Sequence, residues 1–192
     1  MPVQDVYTVD GRPVTAGRIE AGRVRTGDRV ALYPGGIAAE VTGVAEFLHT
    51  PQTAEAGEST GLFLTAGSAR RGMVVADPGR PPCVTRAVEA NLFWMAPVAL
   101  AAGDTLTFRC TTQAIPATVR AIRRRIDSST LAVLSENASR LEEHEVGEIV
   151  LALTAPAVVE TYAAFPELGR FVLERGPDIV AAGIITGCGE QA

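Results

Sequence analysis

The stretch "ELGRFVLERGPDIVAAGII", residues 167–185, decides the fold class. Phe171 and Leu173 alternate with polar or small residues, which predicts a β-strand with one buried face. Residues 175–178 (Arg-Gly-Pro-Asp) are of turn-forming types, and the sequence after them is nearly all small or aliphatic. Because a strand rich in Ala and Gly can lie where another backbone comes close, the stretch predicts a hairpin in a tightly wound small barrel.

Short segments of the same kind follow one another along the whole chain, separated by Gly, Pro and Asp. The first set is "VQDVYTV", "RPVTAGRIEAG", "RVALYPGG", "IAAEVTGVAEFL", "STGLFLTA" and "GMVVADP". After the Pro-rich segment "DPGRPPCVTR" comes a second set: "AVEANLFWM", "DTLTFRC", "IPATVRAIRRRID", "TLAVL", "VGEIVLALTAP" and the closing hairpin. This rhythm predicts an all-β protein of two consecutive small antiparallel β-barrels, at residues 1–80 and 89–192, joined by a linker at 81–88. We expect a single helical turn, around residues 136–143.

The composition argues against several classes of function. The chain has 192 residues, of which 47% are hydrophobic and 20% charged, so it can form a packed core. Its net charge of -5 argues against a nucleic-acid partner. All 17 basic residues are Arg, and without Lys the chain cannot form a P-loop. No apolar run is long enough for a membrane helix, and we expect a cytoplasmic protein.

The residue types that carry chemistry are sparse, and we predict no catalytic, cofactor-binding or metal-binding residue. Cys83, Cys110 and Cys188 are widely spaced, which favours three unrelated reduced thiols over a metal site. The segment Glu142-Glu143-His144-Glu145 suggests a metal site, but consecutive residues do not converge on one ion without partners from elsewhere, so it is interpreted as a solvated charged turn.

The run "RRRID" is the densest basic segment. On a regular strand Arg123 and Arg125 would share one face and Arg124 would take the other. The three side chains could bind an anion or an acidic partner. The alternative is an exposed edge or a local ion pair with Asp127, and the sequence favours neither.

The order of these segments resembles the second and third domains of the translation-type GTPases, the family of elongation factor Tu and elongation factor 1-alpha. The segments that carry the resemblance are "MPVQDVYTVDGRPVTAGRIEAGRVRTGDRVALYP", "AGESTGLFL", "RRGMVVADPGRPP" and the closing hairpin. In that family a GTPase domain that binds GTP and Mg²⁺ precedes the two barrels. The resemblance therefore implies that this chain is part of a longer protein and that its own N-terminal GTPase domain is a partner.

Within this family, two branches compete. "NLFWMAPVALAAGDTLTF" and "ATVRAIRRRIDSSTL" look most like the GTPase subunit of bacterial sulfate adenylyltransferase. That resemblance implies a non-catalytic part of an enzyme that makes adenosine 5′-phosphosulfate, docked to the small catalytic subunit, and it is our first expectation.

The alternative is an elongation factor, to which "PVQDVY" and "FPELGRF" are more similar. In elongation factors the residues matching Gln4, Asp5 and Tyr7 help to line the pocket for the aminoacyl end of tRNA. Ser59 stands where that family usually has Asn, so the pocket implied by the resemblance is incomplete. A third interpretation is a free-standing β-barrel interaction protein.

Overall fold

The structure, a computed structural model, describes residues 1–45, 51–67 and 69–189. The chain divides into two units, the first ending at Pro82 and the second beginning at Cys83. Almost every regular element is a β-strand, which confirms the predicted all-β fold. Within the described ranges, no helix has the length and apolar character needed to cross a membrane.

The first unit is a six-stranded antiparallel barrel. Its sheet has the order β1-β2-β7-β5-β4-β8, and a bridge between Pro2 and Val74 brings its two ends together. The short strands β3 and β6 pair with each other. The bounds are β1 Val3–Val9, β2 Arg12–Arg18, β3 Arg23–Arg25, β4 Arg29–Tyr33, β5 Ile37–Ala45, β6 Thr53–Glu55, β7 Ser59–Leu64 and β8 Val74–Ala76.

The second unit is also an antiparallel barrel, with the order β11-β16-β17-β9-β15-β12-β13. It closes because β11 pairs with β12 as well as with β16, which leaves β13 as an edge strand. The bounds are β9 Cys83–Trp94, β10 Leu100–Ala101, β11 Thr105–Cys110, β12 Gln113–Asp127, β13 Val133–Ala138, β14 Arg140–Leu141, β15 Glu145–Val159, α1 Pro166–Gly169, β16 Arg170–Arg175 and β17 Asp178–Cys188.

The hairpin that decided the fold class forms as predicted. β16 and β17 pair up to Arg175 and Asp178, so Gly176 and Pro177 make the turn. Gly176 has a φ of 63°, in the left-handed region that favours glycine. A Cβ on Gly183 would lie 2.7 Å from the carbonyl oxygen of Asn91 on β9, so the predicted close backbone approach is present.

Two local predictions need correction. The linker predicted at residues 81–88 is shorter, because β9 already begins at Cys83. The helical turn predicted at residues 136–143 is wrong: these residues form the end of β13 and all of β14. Polar residues dominate there because β13 is an edge strand with several exposed side chains, and this polarity was mistaken for helix.

The buried side-chain amide of Gln113 binds the backbone of the second barrel where β15 bends. The pairing of β15 with β9 is interrupted between Ala152 and Ala157, so the backbone there leaves the regular ladder. The Gln113 side chain, which is 3% exposed, lies against Val158, just past this interruption. Its Nε2 donates to the carbonyl oxygen of Val158, and its Oε1 accepts from the Val158 N–H, both at 2.8 Å. The side chain thus satisfies both backbone groups of a fully buried residue.

The prediction of three unrelated thiols is wrong for two of the cysteines. The structure brings the sulfurs of Cys83 and Cys188 together at the start of β9 and the end of β17, two neighbouring strands of the barrel. Cys110 remains a free thiol in the core, and burial raises its pKa to about 12. The spacing along the chain gave no sign of this pairing.

Candidate functional site

The outer face of the first barrel carries a row of small residues across four strands. Asp5 of β1 lies opposite Ala16 of β2, Ala16 lies opposite Gly61 of β7, and Gly61 lies opposite Ala45 of β5. Residues directly opposite each other on paired strands point to the same face of the sheet. This small-residue row (Asp5, Ala16, Gly61, Ala45) therefore forms a low floor with a carboxylate at one end.

A bulkier row lies beside this floor. Tyr7 pairs with Val14, and Phe63 pairs with Gly43. Since Thr15 pairs with Leu62, Val14 and Phe63 are adjacent on the outer face. We call Tyr7, Val14, Phe63 and Gly43 the aromatic row. Its two rings stand next to a row with almost no side chains, in which Gly61 is buried and is covered by Val14, itself 5% exposed. We call this face of the barrel the outer groove.

The floor is low because of Gly61. A Cβ at this position would collide with Cγ1 of Val14 and would lie 3.5 Å from the carbonyl oxygen of Ala45. Gly43 is similarly restricted, since its Cβ would approach the Phe63 ring at 3.2 Å. The groove therefore depends on glycine at both positions.

Three of the four residues predicted to contact a partner lie on this face. Asp5 and Tyr7 belong to the two rows, and Ser59 lies two residues before Gly61 on β7, on the same side of the strand. Tyr7 is 56% exposed. One Asp5 oxygen accepts the Val6 N–H at 2.8 Å.

Gln4, the fourth predicted residue, lies at a β-bulge between Val3 and Asp5. Its carbonyl oxygen accepts a hydrogen bond from Arg71 at 2.8 Å, and its side chain is exposed. Asp5 and Tyr7 share one face because they are two residues apart, and the bulge turns that face outward although Val3 points into the core.

Arg12 and Phe63 belong to this surface but were not predicted from the sequence. The Arg12 guanidinium lies over the Phe63 ring, 4.4 Å from its centroid, in a cation–π contact. The sequence signal that could have pointed to this surface is the glycine inside the strand segment "STGLFL". An interior glycine often marks a place where a ligand or another backbone comes close.

A separate cavity of about 550 Å³ opens in the same barrel. Its apolar wall includes Ile19, Val24 and Val75, all buried. Exposed arginines also line it, namely Arg23, Arg29 and Arg80, together with Asp28 and Asp77. None of the four predicted contact residues lines this cavity, which involves the β2–β3 connection and the end of β8 rather than the outer groove.

The basic run of β12 is engaged in ion pairs. Arg123 contacts Glu89 at 2.6 Å, and Arg124 contacts Glu136 and Glu148 at 3.2 and 3.3 Å. The predicted partner, Asp127, instead accepts hydrogen bonds from the backbone of residues 129 and 130. An anion would therefore compete with carboxylates already in place.

The predicted alternation of these arginines is wrong. The pairing of β12 with β15 shifts between Ile122 and Arg124, so Arg123 is an extra residue at a bulge. As a result Arg123 and Arg124 both lie on the outer side, where the Glu148 carboxylate attracts both guanidinium groups. Arg125 points to the opposite face.

Arg125 forms a bidentate ion pair, with two hydrogen bonds of 2.6 and 2.7 Å to Glu145. Partial burial by itself would raise the pKa of Glu145. The hydrogen bonds from Arg125 and from the Glu142 N–H outweigh burial and lower the pKa below its ordinary value. Glu142 and Glu145 are therefore parts of an ion-paired turn rather than free ligands.

The two units differ in their electrostatics. Residues 1–82 carry eight Arg and nine Asp or Glu, whereas residues 83–192 carry nine Arg and thirteen Asp or Glu. Seven of the nine arginines in the second unit lie within 4.0 Å of a carboxylate, against two of the eight in the first, counted among the described residues. The acidic excess therefore lies mainly in the second unit, and the first is nearly neutral.

Comparisons with known proteins agree with this architecture. The sequence model of the family "GTP-eEF1A C-terminal domain-like" matches residues 87–186. Elongation factor 1-alpha of Cenarchaeum symbiosum is 35% identical over 96% of this chain and 44% of its own length, and that of Hyperthermus butylicus is 32% identical over 96% and 43%. The chain thus spans less than half the length of these relatives.

The fold also matches solved structures. Sup35 in complex with GDP superimposes with a TM-score of 0.91 over 99% of this chain and 47% of its own, at 18% identity. Sup35 in complex with GMPPNP gives a TM-score of 0.92 over the same shares. At this identity the likeness shows the two-barrel fold alone.

Proposed function

This chain belongs to the GTP-eEF1A C-terminal domain-like family, and from that premise we propose that it supplies two β-barrel domains of an elongation factor 1-alpha-type translation GTPase. We further propose that the outer groove of the first barrel receives the aminoacyl end of tRNA. The observation that carries this proposal is the placement of Asp5, Tyr7 and Ser59 on one face of the barrel, beside a row of small residues.

The groove offers the chemistry that such an end requires. The 3′ end of a charged tRNA carries an unpaired adenine, ribose hydroxyls and an amino acid with a free ammonium group. An unpaired base stacks on an aromatic ring, which the exposed Tyr7 provides, while the Arg12 guanidinium lies over the neighbouring Phe63 ring. The exposed Asp5 carboxylate suits the ammonium group, and the Ser59 hydroxyl can bond to ribose or ester oxygens.

Charge does not oppose binding at this site. The net charge of -5 led us to expect no nucleic-acid partner, but the near-neutral first unit lacks most of that excess. Arg12 lies beside the groove, and no described carboxylate lies within ion-pair distance of it. A phosphate next to the terminal nucleoside could therefore approach a cation.

An NMR titration tests the proposal with an aminoacyl-adenosine whose ester is replaced by a stable amide. We expect amide shift changes at Asp5, Tyr7, Ser59 and Gly61. Tyr7→Ala should weaken binding by about fivefold or more, since stacking contributes about 1–3 kcal/mol per base. Tyr162→Ala is the matched control, because Tyr162 is an exposed tyrosine of the second unit.

The proposal is wrong if the shift changes map to the arginine-lined cavity, or if Tyr7→Ala and Tyr162→Ala bind equally well. Adenosine without the amino acid is a further control. It should bind wild type more weakly than the aminoacyl-adenosine does, and Asp5→Asn should bind the two compounds with equal affinity.

GTP and Mg²⁺ belong in this proposal to a GTPase domain outside these residues, which would be the chain's principal partner. Translation takes place in the cytoplasm, so we place the protein there. The resemblance to the sulfate adenylyltransferase GTPase subunit is the weaker alternative, because the relatives named above are elongation factors that match along 96% of the chain. Co-purification with the small adenylyl-transferring subunit, without affinity for the aminoacyl-adenosine, would favour that alternative.

A further inference from the structure

Cys83 and Cys188 meet in the second barrel although 105 residues separate them in the chain. Cys83 is the first residue of β9 and Cys188 the last of β17, and these strands are antiparallel neighbours. Cys188 lies opposite Val88, five residues from Cys83, so pairing alone does not join the two cysteines.

A bend in β9 brings them together. The pairing of β9 with β15 is interrupted between Ala87 and Thr85. The buried Thr85 hydroxyl accepts the Ala87 N–H at 3.0 Å and lies 2.9 Å from the Ala87 carbonyl oxygen. This arrangement turns the start of β9 toward the end of β17, where both cysteines are half-buried against the barrel core.

We propose that Cys83 and Cys188 form a reversible thiol–disulfide couple that cross-links the end of β17 to the start of β9 when oxidised. In forming one S–S bond, two thiols lose two electrons and two protons. A low-molecular-weight disulfide such as oxidised glutathione accepts them and is reduced to two thiols, through a mixed disulfide with one cysteine. In a reducing compartment such a pair responds to oxidative conditions rather than staying permanently closed.

Reduction leaves the end of β17 held by its pairing with β9, in which Cys188 lies opposite Val88. Beyond Cys188, the Gly189 N–H donates to the Ala87 carbonyl oxygen at 2.9 Å, and the Thr85 hydroxyl contacts the Gly189 carbonyl oxygen at 3.2 Å. The cross-link adds a covalent connection to these hydrogen bonds, and reduction removes it. We therefore expect the terminal turn of the strand to open more readily in the reduced form.

Cys110 is the internal contrast. It is 1% exposed, burial raises its pKa to about 12, and its Sγ lies 3.4 Å from the Leu168 carbonyl oxygen. A buried thiol that stays protonated does not attack a disulfide. Oxidation should thus be selective for the pair.

Peptide mapping after treatment of the 192-residue chain with oxidised glutathione tests the cross-link. Trypsin should release a peptide of residues 72–86 linked to a peptide of residues 176–192, whereas the peptide that begins at Cys110 should be found unlinked. Dithiothreitol should separate the linked pair. Recovery of three free thiols, or of disulfide-linked dimers in its place, would overturn the proposal.

Thermal unfolding followed by the fluorescence of Trp94, the only tryptophan, tests the stabilising effect. Because the cross-link closes a loop of more than 100 residues, the oxidised form should unfold at least about 5 °C above the reduced form. Cys83→Ser and Cys188→Ser should each abolish this difference, and Cys110→Ser should keep it. A linked peptide without any shift in the midpoint would show that the pair has no stabilising role, contrary to the proposal.

Discussion

Replacing Gln113 by leucine tests the account of how the second barrel accommodates its bend. The side chain is 3% exposed and makes hydrogen bonds of 2.8 Å to both the N–H and the carbonyl oxygen of Val158, a residue with no exposed surface. Leucine keeps most of the volume but leaves both backbone groups without a partner. Each unsatisfied buried group costs about 1–3 kcal/mol, so we expect a loss of about 2–5 kcal/mol in the free energy of unfolding.

Urea denaturation followed by Trp94 fluorescence measures this loss, because that residue lies in the same barrel. Gln52→Leu is the control: Gln52 is exposed and in the first unit, so the Trp94 transition should shift by less than about 0.5 kcal/mol. Gln113→Glu adds a pH test. Burial raises the pKa of a carboxyl group, and its neutral form can both donate and accept, so this variant should regain stability as the pH falls from 7 toward about 4.3, the ordinary pKa of a glutamate. If Gln113→Leu loses less than about 0.5 kcal/mol, the proposed role of the amide is wrong.

Three further predictions concern separate parts of the chain. Glu145→Gln should cost about 1–2 kcal/mol at pH 7, because it removes the charge partner of Arg125. Since the folded-state pKa of Glu145 is lowered, wild type should lose this advantage as the pH falls from about 4.3 through that pKa, and urea denaturation from pH 7 to pH 2 should show the two proteins converging. Gly61→Ala should destabilise the first barrel by about 1–3 kcal/mol, because its Cβ would collide with Val14, as calorimetry can measure. Cys110 should resist iodoacetamide at pH 8.5 in the native protein and react in urea, since burial raises its pKa to about 12.

The strand pattern was readable because its signals are local. Alternation of apolar and polar residues and the Arg-Gly-Pro-Asp turn depend only on neighbours in the chain, and β16 and β17 follow them closely. The polar segment at residues 136–143 was wrongly predicted to be helical, because its exposure depends on contacts distant in the chain. A strand at the edge of a sheet exposes several of its side chains, and only its place in the barrel shows that β13 is such a strand.

The candidate site was readable in part. Asp5, Tyr7 and Ser59 were predicted through the resemblance of "VQDVY" and "AGESTGLFL" to a family, and they lie on one face of the barrel. Arg12 and Phe63 were not found. Their contact depends on the pairing of β2 with β7, strands separated by about 40 residues of chain.

The amino-acid sequence by itself determined the all-β class, the two successive barrels and the absence of a P-loop lysine, because periodicity, turn chemistry and composition are properties of the chain alone. Only the tertiary structure decided which distant residues meet: Cys83 with Cys188, Gln113 with Val158, and the arginines of β12 with glutamates on other strands. Strand order, bulges and bends set these contacts. A bulge of one residue changes which face a side chain occupies, and such a shift leaves the hydrophobic pattern of the chain almost unchanged.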